Sequence, residues 1–105
     1  MPTAVLADRN AKMAILRRQF LARVSTEVEA IKGLVNQMDD AGSLTLRSLC
    51  HMLKDSAAIL GFHALMNSAV ILHREILERP QDKRSIMDKW ACLLGDIQRS
   101  EAEAS

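Results

Sequence analysis

Apolar residues recur along most of this chain at steps of three and four, which is the spacing of one face of an α-helix. Proline, glycine or clusters of polar residues interrupt the pattern at three places. The pattern therefore predicts four amphipathic helices, at about residues 9–38, 44–61, 62–78 and 83–100. Four helices joined by short connections fold most simply as an antiparallel up-down-up-down bundle.

Each predicted helix presents one apolar face to a shared core. These faces consist of Met13, Leu16, Phe20, Val24, Val28, Ile31, Val35 and Met38 in the first helix, Leu46, Leu49, Cys50, Leu53, Ala57 and Leu60 in the second, Phe62, Leu65, Ala69, Leu72 and Ile76 in the third, and Ile86, Trp90, Leu93 and Ile97 in the fourth. Residues 39–43 predict a turn in which Ser43 or Asp40 caps the second helix, and Asp82 is the expected cap of the fourth. Residues 1–8 form either a short extra helix or a frayed end, and residues 101–105 form a polar tail.

The composition agrees with a single all-α domain covering residues 1–105. The only aromatic residues are two Phe and one Trp, whereas strands draw on aromatic and β-branched side chains. Four Gly and two Pro favour few turns and hence few long elements. The formal net charge of +1 gives no reason to expect nucleic acid or a membrane surface as a partner.

The sequence also predicts a cytoplasmic protein, which we expect to be a monomer. No apolar run approaches the ~20 residues of a membrane span, and the first residues lack the pattern of a signal peptide. Cys50 and Cys92 both fall on predicted core faces, so we expect both to be reduced and buried. The initial Met and the polar tail favour a protein that stands alone over a domain of a larger one.

The second helix carries the candidate chemistry of the chain, in the stretch LRSLCHMLKDSAAILG at residues 46–61. At about 100° per residue, His51 lies roughly 150° from the centre of the buried face, with Asp55 nearly opposite that face and Lys54 on its flank. His51 is therefore predicted to project into water from the middle of a rigid helix. An exposed imidazole can act as a base, a nucleophile or a metal ligand. No second catalytic group and no glycine-rich phosphate loop accompanies it, so the residues do not predict an enzyme or a kinase.

The same stretch resembles the histidine phosphotransfer (HPt) domain of bacterial multistep phosphorelays. The family pattern is roughly His-x-Leu-Lys-Gly-small-small with Leu-Gly shortly afterwards, and the matching residues are His51-Met52-Leu53-Lys54, Ser56-Ala57-Ala58 and Leu60-Gly61. The resemblance implies a four-helix layout and a phosphoryl carrier that is not itself an enzyme. It implies as partners the receiver domains of response regulators or hybrid histidine kinases. The Mg²⁺ ion is expected on the receiver, and the carrier needs no cofactor.

A phosphate carrier needs an accessible histidine, a nearby cation and small neighbours, because phosphoryl transfer depends mainly on positioning and charge stabilisation. His51 is the candidate phosphoacceptor. Lys54, three residues further on, is the candidate cation for the phosphoryl oxygens. Small or apolar residues around this pair predict a docking surface for the partner. They are Ser48, Met52, Ala58 and Ile59.

Two positions need separate consideration. Asp55 stands where the family usually has glycine, and its carboxylate would crowd or repel a phosphoryl group, hydrogen-bond the imidazole or pair with Lys54. In the third helix the family often has a polar side chain that bonds the inner nitrogen of the active histidine, and this position falls at or near His73. His73 is therefore either an orienting partner or an ordinary surface residue. His63, at the start of that helix, is expected to be a solvent-exposed or capping residue.

Other interpretations stay open. An inert adaptor would keep receiver binding but lose the chemistry to Asp55. A metal-binding bundle would use His51, Asp55 and His73 as ligands, although the metal sites of such bundles lie in the core. The first helix is basic, so it presents either a solvated face or a rim that attracts an acidic partner surface. Its cations are Arg9, Lys12, Arg17, Arg18 and Arg23.

Overall fold

Four α-helices make up the fold: α1 (Pro2–Gln37), α2 (Asp40–Leu60), α3 (His63–Glu78) and α4 (Lys83–Ala104). This computed structural model describes residues 2–37 and 39–104, with side chains at residues 9–37, 39 and 42–103. Each helix packs against its neighbours in the chain, and α1 also packs against α4, so the four helices close into an up-down-up-down bundle. The predicted all-α bundle is confirmed. None of the described helices is both long and apolar enough to cross a membrane.

The predicted apolar faces supply the core. The buried residues include Phe20, Val24, Val28 and Val35 of α1, Leu46, Leu49, Cys50, Leu53 and Ala57 of α2, Leu65, Ala69, Leu72 and Ile76 of α3, and Ile86, Trp90, Leu93 and Ile97 of α4. Helix α2 contributes one side of this core along its whole length. This packing fixes the orientation of α2 about its own axis. The side chains on the opposite side of α2 are therefore held facing solvent.

Helix α1 is longer than the bundle that it belongs to. It has 36 residues whereas α2 has 21, and the molecule measures 57 × 23 × 19 Å along its principal axes. The prediction that Leu16 is buried is wrong, since its side chain is 51% exposed, and Met13 is only partly buried. Both lie on the part of α1 that extends past the core. Met38 lies outside the described residues, and residues 2–8 continue α1 and form no separate helix.

The α1–α2 connection is shorter than the predicted turn. The N-cap of α2 is Asp39, not Ser43 or Asp40, and its carboxylate accepts a hydrogen bond from the Gly42 N–H at 2.8 Å. Gly42 is buried in the first turn of α2, where an added Cβ would lie 2.3 Å from the Leu34 carbonyl oxygen. Glycine at this position thus serves close helix packing and does not break the helix.

The α2–α3 connection consists of Gly61 and Phe62. Gly61 is left-handed with φ of 82°, its N–H donates to the Ala58 carbonyl, and the Phe62 N–H donates to the Ala57 carbonyl at 2.8 Å. This is the Schellman arrangement, in which glycine avoids the steric cost of the left-handed region. From α1, Arg17 Nε donates to the Leu60 carbonyl at 2.8 Å, and so adds a positive charge at the C-terminus of α2.

Helix α4 starts where the sequence predicts but continues further than predicted. Asp82 caps it as expected, because its carboxylate accepts a hydrogen bond from the Ser85 N–H at 3.1 Å. The predicted polar tail is wrong in part, since the helix continues to Ala104 through residues of good helix propensity.

Cys92 is exposed and Cys50 is buried, so only one of the two predicted buried thiols is in the core. Cys92 directly precedes core residue Leu93, which places it about 100° away from the buried face.

Candidate functional site

His51 lies near the middle of α2 with its side chain exposed. The neighbouring side chains of Cys50 and Leu53 are fully buried in the core. Because both of these anchors lie within two residues of His51, the helix cannot turn the imidazole inward without losing core packing. The predicted presentation of His51 to solvent on a rigid helix is present in the structure.

Lys54 and His73 meet across the α2–α3 interface. Lys54 Nζ lies 3.1 Å from His73 Nδ1 at a partly buried position. An ammonium group can only donate hydrogen bonds, so Nδ1 must be the acceptor and the neutral ring must carry its proton on Nε2. The pKa of His73 is lowered from its ordinary value by desolvation and by the positive charges of Lys54, Arg47 and His51. All three charged neighbours lie on α2, and together they favour the neutral imidazole.

His51 and His73 line one open groove between α2 and α3, which we call the α2–α3 groove. Its lining residues are Leu44, Arg47, Ser48, His51, Met52 and His73. None of these described lining residues is acidic, and three of them bring a guanidinium or an imidazole. Arg47 precedes His51 by four residues, so the two project from the same side of α2 one turn apart. The groove is therefore suited to an anion.

Two alternatives were expected for His73, an orienting partner of His51 or an ordinary surface residue. In the part of the chain that the structure describes, its Nδ1 is bonded to Lys54 and no hydrogen bond joins it to His51. It is nevertheless not an ordinary surface residue, because it is half-buried and shares a groove with His51. His63 is exposed at the first position of α3, as expected.

Asp55 is exposed one turn beyond His51. Of the roles predicted for its carboxylate, two required a partner, either Lys54 or the imidazole of His51. Among the described residues Lys54 binds His73 instead, and no hydrogen bond or ion pair joins Asp55 to His51. The third predicted role, the crowding or repulsion of a group arriving at His51, needs no such partner and stays a prediction.

The predicted docking residues lie around His51 on α2, and Ser48 and Met52 also line the α2–α3 groove. Ser48 and Ala58 are exposed, Met52 is half-buried, and Ile59 is 78% exposed. Ile59 lines a second groove, the α1–α2 groove. That groove is formed by Leu16, Gln19, Phe20, Arg23, Ser56, Ile59 and Leu60. Exposed apolar surface thus continues from the docking residues onto α1, and the sequence pattern missed this because it assigned Leu16 to the core.

The basic residues of α1 serve several purposes. Arg17 binds the C-terminus of α2 and lies over the Phe62 ring at 5.9 Å. Arg23 pairs with Glu27 at 3.2 Å in its own helix. Both contacts are exposed, so the guanidinium groups remain accessible at the rim of the bundle. Each of these two arginines thus combines a contact within the bundle with an exposed guanidinium.

Two residues of the site escaped the sequence interpretation. Arg47 and Leu44 both line the α2–α3 groove beside His51. Their positions four and seven residues before His51 place them on the same side of the helix, so helical spacing was a signal that could have found them. The bond between Lys54 and His73 had no such signal, because it joins two different helices.

The metal-binding interpretation is not supported by the arrangement of the side chains. Within residues 2–37 and 39–104, no group of three or more His, Cys, Asp or Glu side chains is placed to hold a metal ion. Asp55 does not line the groove that His51 and His73 share, and His73 Nδ1 faces an ammonium group that would repel a metal cation.

Comparison with known protein families, with curated proteins and with solved structures gave no match for this chain. The HPt resemblance consequently rests on the residues of α2 alone. What the structure adds to those residues is the fold, the exposure of His51 and the composition of the groove beside it.

Proposed function

We propose that this protein is a histidine phosphotransfer protein, which relays phosphoryl groups between receiver-domain aspartates through phosphorylated His51. One observation carries the proposal. An exposed imidazole, held on a rigid helix, shares a groove with a guanidinium and a second imidazole, and no described residue of that groove is acidic. Such surroundings favour an anionic group on His51.

The proposed reaction needs little from the carrier. A ring nitrogen of His51 attacks the phosphorus of an aspartyl phosphate, so that the N–P bond forms while the O–P bond breaks. The aspartate leaves as a carboxylate, and the imidazole N–H proton passes to solvent. Transfer to the next aspartate reverses these changes. The Mg²⁺ ion and a second cation belong to the receiver, which is why a carrier can function without a cofactor or an enzymatic pocket of its own.

The partner side of the proposal rests on the surface around His51. Ser48 and Ala58 are small and permit close approach, while Met52 and Ile59 offer apolar area for a transient contact. Arg23, at the edge of the α1–α2 groove, adds positive charge toward the acidic phosphorylation pocket of a receiver. We propose receiver domains of response regulators or hybrid histidine kinases, in the cytoplasm, as these partners.

The test is incubation with a phosphorylated receiver domain, followed by mapping of acid-labile phosphate. We expect label on His51 and none on a His51→Gln variant whose helicity is unchanged by circular dichroism. His63→Gln is the matched control, because His63 is also an exposed helical histidine but lies outside the groove. Label that persists on His51→Gln would refute the assignment. Receiver binding without any label would instead support the adaptor, in which Asp55 has abolished the chemistry.

A further inference from the structure

We propose that Arg47 and His73 form an oxyanion-binding site beside His51, with Lys54 as the positioning residue that fixes the His73 ring. The ligand is a phosphate-type dianion, either free or carried on His51. The second form rests on the proposed function, whereas the first does not. In this arrangement the groups that contact the phosphoryl oxygens are the guanidinium and the His73 Nε2–H. Lys54 acts through His73 and does not contact the ligand.

The contact with Lys54 determines the tautomer of His73. The ammonium of Lys54 occupies Nδ1 at 3.1 Å, which leaves Nε2 as the protonated nitrogen. A neutral imidazole whose acceptor nitrogen is bound to a cation is polarised, and its remaining N–H becomes a stronger donor. His73 lines the α2–α3 groove and Lys54 does not. Lys54 therefore affects the groove indirectly, because it polarises the His73 ring and strengthens the Nε2–H donor.

Arg47 brings a guanidinium to the same groove. Its side chain is exposed, it lines the groove together with His51 and His73, and no described residue accepts a hydrogen bond from it. By contrast, two arginines of α1 do have protein partners, since Arg17 donates to the Leu60 carbonyl and Arg23 to Glu27. An uncommitted guanidinium can give two parallel hydrogen bonds to the oxygens of one phosphate.

The charged groups around His73 are all positive among those that affect its pKa. Arg47, His51 and Lys54 on α2 all act on His73, and no described acidic group from α2 or α4 acts on it in the opposite direction. Together with desolvation, which is the largest cause, this concentration of positive charge lowers the pKa of His73 and disfavours its protonated form. A dianion in the groove would offset those charges, so binding should raise the pKa of His73 and draw a proton onto its ring.

The first experiment uses inorganic phosphate as the probe and the ¹⁵N resonances of the His73 ring as the readout. Titrations of pH in phosphate and in chloride of equal ionic strength separate specific binding from screening. We expect the neutral ring to be the Nε2–H form and its pKa to be higher in phosphate. Identical titrations in the two salts, or an Nδ1–H ring, would overturn the proposal.

Variants distinguish contact from positioning. Arg47→Gln should weaken phosphate binding about tenfold, because a charge-assisted bidentate contact is lost. Lys54→Gln should leave the protein folded while His73 becomes a mixture of both tautomers, a change that a purely structural role for Lys54 would not produce. Arg74→Gln is the matched control, since Arg74 is the exposed neighbour of His73 and does not line the groove. Equal weakening by Arg47→Gln and Arg74→Gln would indicate nonspecific attraction and contradict the site.

A second experiment separates this inference from the proposed function. Phosphoramidate transfers its phosphoryl group to histidine as its P–N bond breaks and ammonia leaves, so it needs no receiver domain. If His51 accepts the group, the His73 pKa should rise further than it does in free phosphate. A phosphorylated His51 with an unchanged His73 pKa overturns the oxyanion site and leaves the carrier function standing. A protein that binds phosphate through Arg47 but never accepts a phosphoryl group would uphold the oxyanion site and overturn the carrier function.

Discussion

Asp55 is the residue at which this chain differs most plainly from the phosphotransfer pattern. Its exposed carboxylate lies one turn beyond His51 and has neither Lys54 nor His51 as a partner. A negative charge at that position disfavours a second anion on the imidazole, and its bulk restricts approach. The effect of this residue should therefore appear in the rate of transfer more than in the fold.

We predict that Asp55→Gly speeds phosphoryl transfer to or from His51, and that Asp55→Asn recovers the electrostatic part alone. The glycine should also lower the free energy of unfolding by about 0.5 kcal/mol, the difference in helix propensity between the two residues. Single-turnover transfer from a phosphorylated receiver and urea unfolding measure the two effects. Slower transfer by Asp55→Gly would show that the carboxylate assists the imidazole.

Lys54→Ala should slow phosphate uptake without abolishing it. The ammonium holds the His73 ring and adds positive charge near His51, so its removal should weaken the stabilisation of the phosphoryl group without removing the phosphoacceptor. The rate of His51 labelling measures this loss. Lys83→Ala, at the exposed start of α4, is the control for an unspecific change in net charge. An unchanged rate in Lys54→Ala would mean that the receiver provides all the positive charge that the transfer requires.

The lowered pKa of His73 predicts how stability varies with pH. Desolvation and the nearby Lys54, Arg47 and His51 hold this pKa below its ordinary value of 6.5. In acid the unfolded chain therefore binds a proton at His73 more readily than the folded chain does. The contribution of the neutral His73 ring to the free energy of unfolding is complete above pH 6.5 and is lost as the pH falls below that value.

Urea unfolding at pH 7.5 and at pH 5 tests this expectation. The wild-type protein should lose more stability on acidification than His73→Gln, which has no ring to protonate. His63→Gln keeps the His73 ring and should follow the wild type. Equal losses in the wild type and His73→Gln would show that His73 does not resist protonation in the fold.

At the scale of the helix, a residue of α1 stabilises the C-terminus of α2. The Leu60 carbonyl accepts a hydrogen bond from Arg17, a residue of another helix and 43 positions away in the chain. We predict that Arg17→Gln lowers the free energy of unfolding by about 1 kcal/mol, because it removes both the bond and a favourable charge at a helix C-terminus.

Arg18→Gln provides the comparison for Arg17→Gln in chemical denaturation. Arg18 is equally exposed, but its Nε contacts only the Ala14 carbonyl in its own helix, at 3.4 Å. Its replacement should have little effect. If the two variants lose the same stability, the contribution of Arg17 comes from the overall charge of α1 and not from the end of α2.

The helices themselves could be predicted well where local chemistry determines them. Helix α3 begins within one residue of the prediction and ends at Glu78 as predicted, since Gly61 and Pro80 limit it on both sides. The sequence pattern predicts too late a start for α2, because Gly42 has the appearance of a turn residue, whereas the helix begins at Asp40. The real constraint on Gly42 is the backbone of Leu34 on the neighbouring helix. No rule based on local sequence contains that constraint.

The same limit applies to the site. Helical spacing within α2 predicted that His51 and Asp55 face solvent, and the structure confirms both exposures. The bond between Lys54 and His73 depends on how α2 and α3 are rotated against each other, which periodicity leaves undetermined. The predicted burial of Leu16 failed for a related reason: the apolar pattern of α1 does not reveal where its partner helices end.

At the scale of the whole molecule, the two-residue connection of Gly61 and Phe62 has a consequence for how this chain can change in length. The Schellman bonds fix the exit of α2, and α3 begins at His63 without any spare residue. One added residue would rotate all of α3 by about 100° relative to α2. His73 would then leave Lys54, and the apolar face of α3 would leave the core.

An alanine inserted between Gly61 and Phe62 should therefore sharply lower the melting temperature, whereas one inserted between Pro80 and Gln81 should be much better tolerated. The second insertion falls in an exposed turn outside the α2–α3 pair. Equal tolerance at both positions would show that α3 readjusts by unwinding its first turn. If the expectation holds, insertions and deletions accumulating in descendants of this sequence should be found at the α3–α4 turn and excluded from the α2–α3 turn. The number of residues between His51 and His73 would then stay constant among those descendants.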